Sequence, residues 1–434
     1  MKRYMRFWVF ALVMALVVAA CGDDDGASDT TEDEAPVTTA APADDGETTT
    51  TAESPEPTED TMAEEPLVFG MILVGPEDDQ GWSQAHREAG EYVEERLGAE
   101  MIVIDKVNPA DRPDTSLEQL DDDLVDQGAR LHFATSDDMR DGILAAAAAH
   151  PDIPMIWSSG DSAWEDGEAF AGLDNLGNIM GEMEYGKMIA GCAAALETQT
   201  GSLGYVGPLI NDETRRLVNA AYLGASYCYE NFRGEDPASL DFEVNWIGFW
   251  FNIPGVTLDP TQVSNDFFDG GADVLISGID TTEAIVRAGQ RAAAGEAVWA
   301  VPYDYEGACA EAPEVCLGVP FFNWGPSYLE VAQEVVDGTF VADWEWVGPD
   351  WNDINNKETT AVGYIKGDGL GDAEAQLDEF IAGLADGSID LWVGPLNFQD
   401  GSTFLADGES ATIKQIWYTS QLLEGIAGAS SAEG

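Results

Sequence analysis

Aromatic rings and carboxylates follow several apolar stretches of this chain, and together they have the chemistry of a small-molecule cleft. Rings can enclose a planar or sugar ring, and carboxylates accept hydrogen bonds from hydroxyl or amine groups. Any one ring could instead pack in a core, but open parallel sheets bind ligands beyond the carboxyl ends of their strands, where these rings recur. The candidate ligand-binding residues are Asp79, Trp82, Ser83, Ser136, Asp137, Trp250, Phe251, Asp280, Asp304 and Trp324.

The elements that must position these residues form a regular series. Apolar stretches of strand type alternate with helical patterns, which predicts parallel sheets covered by helices on both faces. The series runs from a strand at Leu67–Val74 to a strand at Phe170–Leu173 and restarts with a helix over Tyr185–Leu196. We therefore expect an α/β protein with two Rossmann-like lobes joined by a hinge of several crossovers. The predicted lobes are residues 66–174 with 317–345, and residues 175–316 with 346–434.

Charge and motifs narrow the classes of function. The 82 acidic residues outnumber the 18 basic ones, which gives a formal net charge of −64. Such a chain repels nucleic acid and anionic lipid, so neither is predicted as a binding partner. The segment Gly181–Met188 matches a phosphate-binding loop except at its last position, where Met188 replaces the required Ser or Thr. No Gly-x-Ser-x-Gly or His-Glu-x-x-His motif occurs. We predict a binding protein without catalytic residues, cofactor or metal site.

The N-terminus predicts export. Basic residues precede an apolar run at Phe7–Ala20 that is too short to span a bilayer. The run ends at Cys21 in a sequence that resembles a bacterial lipobox, which implies acylation of this cysteine. A cleaved secretory signal with an incidental cysteine is the alternative. Residues 22–65 are rich in Asp and Glu and contain no Lys or Arg, so they are predicted to form a disordered tether.

Four further cysteines suit an exported protein, in which disulfides persist. Cys309 and Cys316 bracket a short loop and are expected to pair, which leaves Cys192 with Cys228. Four unpaired thiols would be the alternative, because sequence alone does not fix connectivity.

Several segments resemble the basic-membrane-lipoprotein (BMP) family of ABC-transporter substrate-binding proteins. Asp78–Gln84 is similar to the family's Asp-Asp-x-Ser-Phe-Asn-Gln-like segment, with Trp82 in place of the stacking Phe. The stretch Thr200–Gly207 is similar to Lys-Thr-Gly-Lys-Ile-Gly-Tyr-Val-Gly, and Trp250–Pro254 to an aromatic-Asp-Pro turn. Gly271–Val274 and Tyr303-Asp304 match later strands of the family.

This resemblance implies a type I periplasmic-binding fold and purine-nucleoside ligands, with Asp304 at the position of a ribose-binding Asp. The sequence departs from the nucleoside binders at Asp137, Asp138 and Asp280, and it lacks the Lys expected after the strand at Leu317. We expect a monomeric receptor, anchored by lipid outside the cytoplasm, that closes on a nucleoside and delivers it to an ABC permease. The alternatives are a receptor for a sugar-like or cationic solute that feeds a signalling partner, and a cleft enzyme such as a nucleoside hydrolase.

Overall fold

The computed structural model describes residues 65–432, which fold as two α/β lobes. The predicted signal peptide, Cys21 and nearly all of the predicted tether lie outside the described residues. The strands are β1 Val68–Ile72, β2 Glu100–Ile104, β3 His132–Ala134, β4 Met155–Ser158, β5 Leu176–Gly181, β6 Ser202–Gly207, β7 Asp241–Trp246, β8 Val274–Ser277, β9 Trp299–Val301, β10 Gly318–Phe322, β11 Trp344–Val347, β12 Val362–Lys366, β13 Leu396–Asn397, β14 Thr403–Leu405 and β15 Ile426–Ala427. The helices are α1 Trp82–Leu97, α2 Leu117–Asp126, α3 Arg140–Ala149, α4 Met183–Glu197, α5 Asp212–Asn231, α6 Pro260–Gly270, α7 Glu283–Ala293, α8 Gly325–Asp337, α9 Glu374–Asp386 and α10 Ile413–Trp417.

The first lobe is a six-stranded parallel sheet in the order β11-β5-β4-β3-β1-β2. Its strands bury residues on both faces because helices cover both: β1, for example, has four buried residues out of five. Helix α1 packs against α8, and α2 packs against α3. This arrangement brings the carboxyl ends of β1, β3 and β4 to one edge of the lobe.

The second lobe is a five-stranded parallel sheet in the order β15-β7-β6-β8-β9. Helices α4 and α5 pack together, and the disulfide between Cys192 and Cys228 joins them with a Cα–Cα distance of 5.2 Å. A second disulfide links Cys309 and Cys316, whose Cα atoms lie 5.6 Å apart. The structure thus contains both pairings expected from the sequence.

The chain passes between the lobes after β5, through β10 and after β11, and the antiparallel pair β10–β12 forms part of this hinge. Two parallel α/β sheets joined in this way confirm the predicted fold class. Among the described residues, no helix combines the length and the apolar character needed to cross a membrane.

Two details of the predicted organisation are wrong. Residues 170–173 form no strand, because Phe170 is 48% exposed and Gly172 has a φ of +64°, which is incompatible with an extended run. The fifth strand is instead Leu176–Gly181, and it pairs with β4 in the first sheet. The first lobe therefore extends to Gly181 rather than ending at residue 174.

The C-terminal segment also contacts both lobes, although the sequence assigned it to the second. Trp417 belongs to the buried core of the first lobe, and the Tyr418 hydroxyl donates a hydrogen bond to Asp161 at 2.5 Å. In the second lobe, Arg215 Nε donates to the Thr419 carbonyl at 2.8 Å. The lobes are therefore linked by this segment as well as by the hinge.

Candidate ligand-binding site

A cavity between the lobes lies at the carboxyl ends of both sheets, and together with its opening to solvent it comprises about 430 Å³ of space free of protein atoms. We call it the inner cavity. Both lobes contribute to its wall, as expected for a ligand site in a two-lobe α/β protein. Its lining residues are Val74, Trp82, Ser136, Asp137 and Ser159 from the first lobe and Tyr205, Pro208, Glu213, Thr214, Leu217, Trp250, Gly278, Asp280 and Tyr303 from the second.

Trp82 gives the first lobe its aromatic surface in this cavity. The indole is 7% exposed, and its Nε1 donates to the Thr135 carbonyl at 2.5 Å. Its ring lies edge-on to His86, Phe322 and Trp324, with centroid distances of 4.7, 5.3 and 5.3 Å. These rings hold the indole in one orientation, so the candidate Trp324 supports Trp82 from behind and does not line the cavity.

The turn between β1 and α1 fixes the position of Trp82 along the chain. The Asp79 carboxylate accepts hydrogen bonds from the backbone N–H groups of Gly81, Ser83 and Gln84 at 2.9, 3.0 and 3.0 Å. Ser83 Oγ accepts from the Gly75 N–H at 3.0 Å. Asp79 and Ser83 therefore hold the turn, and neither lines the inner cavity.

Trp250 is a lining aromatic residue from the second lobe. Its carbonyl accepts a hydrogen bond from the Asp280 N–H at 3.0 Å, which couples two lining residues. Burial raises the pKa of Asp138 to about 6, and the nearby Trp250 N–H opposes this rise. Even so, Trp250 Nε1 is buried without a hydrogen-bond partner of good geometry among residues 65–432. The neighbouring candidate Phe251 packs edge-on against Phe249 at 5.1 Å and lies outside the lining.

Carboxyl groups are concentrated at the inner cavity. Burial raises the pKa of Asp280 well above its usual value, and the nearby carboxylates of Asp304, Asp79 and Glu213 raise it further. Burial raises the pKa of Glu213 to about 7, although Arg216 opposes the effect. Glu213 is therefore partly protonated at neutral pH, so it can both donate a hydrogen bond to a ligand and accept one.

Asp304 and Lys187 lie behind the cavity wall. Asp304 is fully buried, its φ is +69°, and neither carboxylate oxygen has a hydrogen-bond partner within the described part of the chain. Burial raises its pKa well above the usual value, while the Lys187 charge opposes this. Lys187 Nζ donates to the Ser277 carbonyl at 2.7 Å and sits 3.0 Å from the centroid of the Tyr303 ring. Asp304 therefore stands next to the lining residue Tyr303 rather than in the lining.

The lobes touch across the cleft, so the structure is a closed form. Asn211 Nδ2 at the start of α5 donates to the Asp137 carboxylate of the other lobe at 3.3 Å. Gly81 lies so close to the Asp280 backbone that a Cβ atom on it would be 1.7 Å from the Asp280 carbonyl oxygen. Only a residue without a side chain fits at this contact.

The structure thus brings together five of the ten candidate residues in the cavity lining: Trp82, Ser136, Asp137, Trp250 and Asp280. The sequence reasoning missed Tyr205 and Glu213. Glu213 lies in the first turn of α5, directly after β6, where the capping pair Asn211 and Thr214 marks a helix start. Because ligands bind beyond the carboxyl ends of strands, a search of the segment that follows β6 would have found Glu213.

Among the described residues, no group of three or more His, Cys, Asp or Glu side chains could hold a metal ion.

Two parallel α/β lobes joined by a hinge of several crossovers are the type I periplasmic-binding fold. Solved structures with this fold include an ABC transporter solute-binding protein from Conexibacter woesei, with a TM-score of 0.54 and 19% identity over 75% of this chain and 98% of that one. Another, from Aeropyrum pernix, has a TM-score of 0.59 and 13% identity over 77% of this chain and 93% of that one.

The family follows from sequence comparison. Residues 67–251 match the Bmp family, described as ABC transporter substrate-binding protein PnrA-like, which confirms the resemblance stated above. A purine-binding protein of Brucella abortus is 27% identical over 80% of this chain and 89% of its own length. A putative ABC transporter glucose-binding protein of Haloferax volcanii is 25% identical over 65% of each chain. Over residues 67–251 the chain is thus similar to ABC-transporter substrate-binding proteins, and these two relatives are named as binding proteins for small molecules.

Proposed function

We propose that this protein captures a nucleoside between its two lobes, anchored to the membrane through a lipid on Cys21. One observation carries the ligand assignment: the inner cavity combines aromatic rings from both lobes with carboxyl groups. Trp82 and Trp250 come from opposite lobes, and a planar base has two faces for such rings. The carboxyl groups of Asp280 and Glu213 suit the hydroxyl groups of a ribose, which donate hydrogen bonds.

The relatives support this choice without deciding it. The relative from Brucella abortus is named as purine-binding, whereas that from Haloferax volcanii is named as a putative glucose-binding protein. A hexose is the second candidate, because Asp137, Glu213 and Asp280 supply several acceptors within one cavity. The rings favour the nucleoside, since they provide more flat apolar surface than a small sugar needs. Protonated amines are the third candidate for so acidic a wall.

The proposed function includes closure of the two lobes around the ligand, which forms contacts that are absent when the lobes are apart. The ligand would first contact one lobe and then be enclosed when Gly81 meets Asp280 and Asn211 meets Asp137. A ligand shifts such an equilibrium only through contacts that differ between the open and closed forms, and contacts to Trp82 and Trp250 together meet this requirement. The closed monomer would then be presented to the permease.

A thermal-shift screen of adenosine, guanosine, inosine, cytidine, several hexoses and polyamines tests the ligand class. A ligand at one hundred times its dissociation constant stabilises the folded state by about 2.7 kcal/mol, which is easily measured as a higher melting temperature. We expect purine nucleosides to give the largest shift. No shift with any nucleoside would contradict the proposal. Recovery of the nucleoside intact after long incubation is expected of a binding protein, and release of the free base would instead indicate a hydrolase.

A further inference from the structure

Ser159 is a lining residue with an unusual backbone. It directly follows β4, and its φ is +75°, in the left-handed region that residues other than glycine rarely adopt. Gln80 and Asp304 share this property, with φ values of +56° and +69°, and they follow the ends of β1 and β9. Such backbone conformations persist where the surroundings enforce them, and they are concentrated at functional sites.

The Ser159 hydroxyl is also unusual in having no partner. Its Oγ is buried and makes no hydrogen bond with any residue in the range 65–432. Two other serines of the first lobe differ: Ser158 Oγ lies 2.6 Å from the Tyr328 hydroxyl, and Ser136 Oγ accepts from the Asp138 N–H at 3.3 Å. Buried hydroxyl groups are nearly always paired, so Ser159 is an exception among the residues that the structure describes.

Two cavities meet at Ser159. Besides the inner cavity, it lines a neighbouring cavity of about 690 Å³, which we call the outer cavity and which Arg140, Trp157 and Tyr418 also line. Asp137 and Glu213 line both cavities as well. The unpaired hydroxyl therefore belongs to a residue that lines both cavities.

We propose that Ser159 is a ligand-binding residue whose hydroxyl donates a hydrogen bond to an acceptor atom of the bound solute. The inference rests on the proposed function and deepens it, because it defines which atoms the solute must carry. The solute therefore brings an acceptor to Ser159 and donors to the carboxyl groups. A nucleoside has both kinds of atom, whereas a protonated polyamine has only donors.

Two substitutions separate the hydroxyl from the backbone. Ser159→Ala keeps the Cβ atom at positive φ and removes only the oxygen, while Ser159→Gly also removes the conformational strain. The ligand for isothermal titration is the nucleoside that gives the largest thermal shift in the screen. We expect the affinity of both variants for it to be weaker than that of the wild type by roughly 2- to 12-fold, the range of one neutral hydrogen bond. Without ligand, the melting temperature should be unchanged for Ser159→Ala and equal or higher for Ser159→Gly.

Ser226 provides the matched control. Its Oγ is likewise buried without a partner among the described residues, but it lies in α5 outside both cavities. Ser226→Ala should bind the nucleoside as the wild type does. Unchanged affinity of Ser159→Ala, with the wild type binding a nucleoside, would overturn the role of Ser159 alone. If the wild type binds only a hexose or a polyamine, the nucleoside assignment fails, and the same titration with that compound decides the role of Ser159. Failure of every compound would overturn both.

Discussion

Gly81→Ala should block closure of the lobes while leaving the open protein intact. The added Cβ would be 1.7 Å from the Asp280 carbonyl oxygen and 2.6 Å from its carbonyl carbon, and these are backbone atoms that cannot rotate away. The contact must open by about 1.7 Å to reach the 3.4 Å of ordinary van der Waals contact. Gly81 has a φ of −147°, outside the left-handed region, so the penalty arises from the contact between lobes.

Overpacking of this kind costs about 1–3 kcal/mol. Because the clash exists only in the closed form, the whole cost should appear in ligand binding, as an affinity weakened by roughly 5- to 150-fold. Isothermal titration measures the affinity, and small-angle scattering with saturating nucleoside should show that the variant stays more extended than the wild type. Its melting temperature without ligand should be close to that of the wild type.

Gly270→Ala is the control, because a Cβ atom at Gly270 meets nothing within 4 Å. It should bind and close normally. The reasoning would be refuted if Gly81→Ala bound the nucleoside as tightly as Gly270→Ala and became equally compact. A large loss of stability in the unliganded variant would also refute it, since the clash would then not be confined to the closed form.

Three further predictions follow from the acidic cavity and the helix pair beside it. Asp280→Asn should weaken nucleoside binding by roughly 2- to 12-fold, the range of one hydrogen bond between neutral groups, because the raised pKa of Asp280 favours its neutral form. The melting temperature without ligand should be equal or higher, because the substitution removes one of several crowded carboxyl groups. The folded-state pKa of Glu213 is about 7, above its usual 4.5, so the folded protein binds more protons in this interval and its stability should fall as pH rises from about 4.5 to about 7. A thermal-melt series should show this slope, and Glu213→Gln should reduce it; a slope of the opposite sign with no change in the variant would contradict the assignment. Replacing Cys192 and Cys228 by Ala should lower the free energy of unfolding by about 4 kcal/mol, because the bridge closes a loop of 36 residues between α4 and α5. Denaturant melts that agree within 1 kcal/mol between the variant and the wild type would be inconsistent with this pairing.

The alternation of strands and helices was enough to predict the fold class. Strands buried on both faces, such as β1, read as continuous apolar runs, and parallel strands need helical crossovers, so the two-lobe α/β arrangement follows. Strand β5 was not predicted because its sequence, Leu176–Gly181, contains two glycines and an asparagine, which are uncommon in strands. The strand was instead predicted at Phe170–Leu173, where the backbone is not extended.

The site was predictable at the level of strand ends and less so at the level of side chains. Asp79 and Trp82 occupy the same turn, but the carboxylate caps the helix while the indole faces the cavity. That division depends on backbone geometry, which residue spacing does not specify. Glu213 resembled an ordinary acidic residue at a helix N-terminus, and only the opposing lobe shows that it faces a cavity.

The central claim is that one nucleoside is held between Trp82 and Trp250 by residues of both lobes. A crystal structure of the protein with the nucleoside that gives the largest thermal shift tests it most directly. We predict the base between the two indoles, hydroxyl groups of the ribose on Asp280 or Glu213, and an acceptor atom within hydrogen-bond distance of Ser159. A ligand bound outside the inner cavity, or one contacting a single lobe in an open form, would contradict the account.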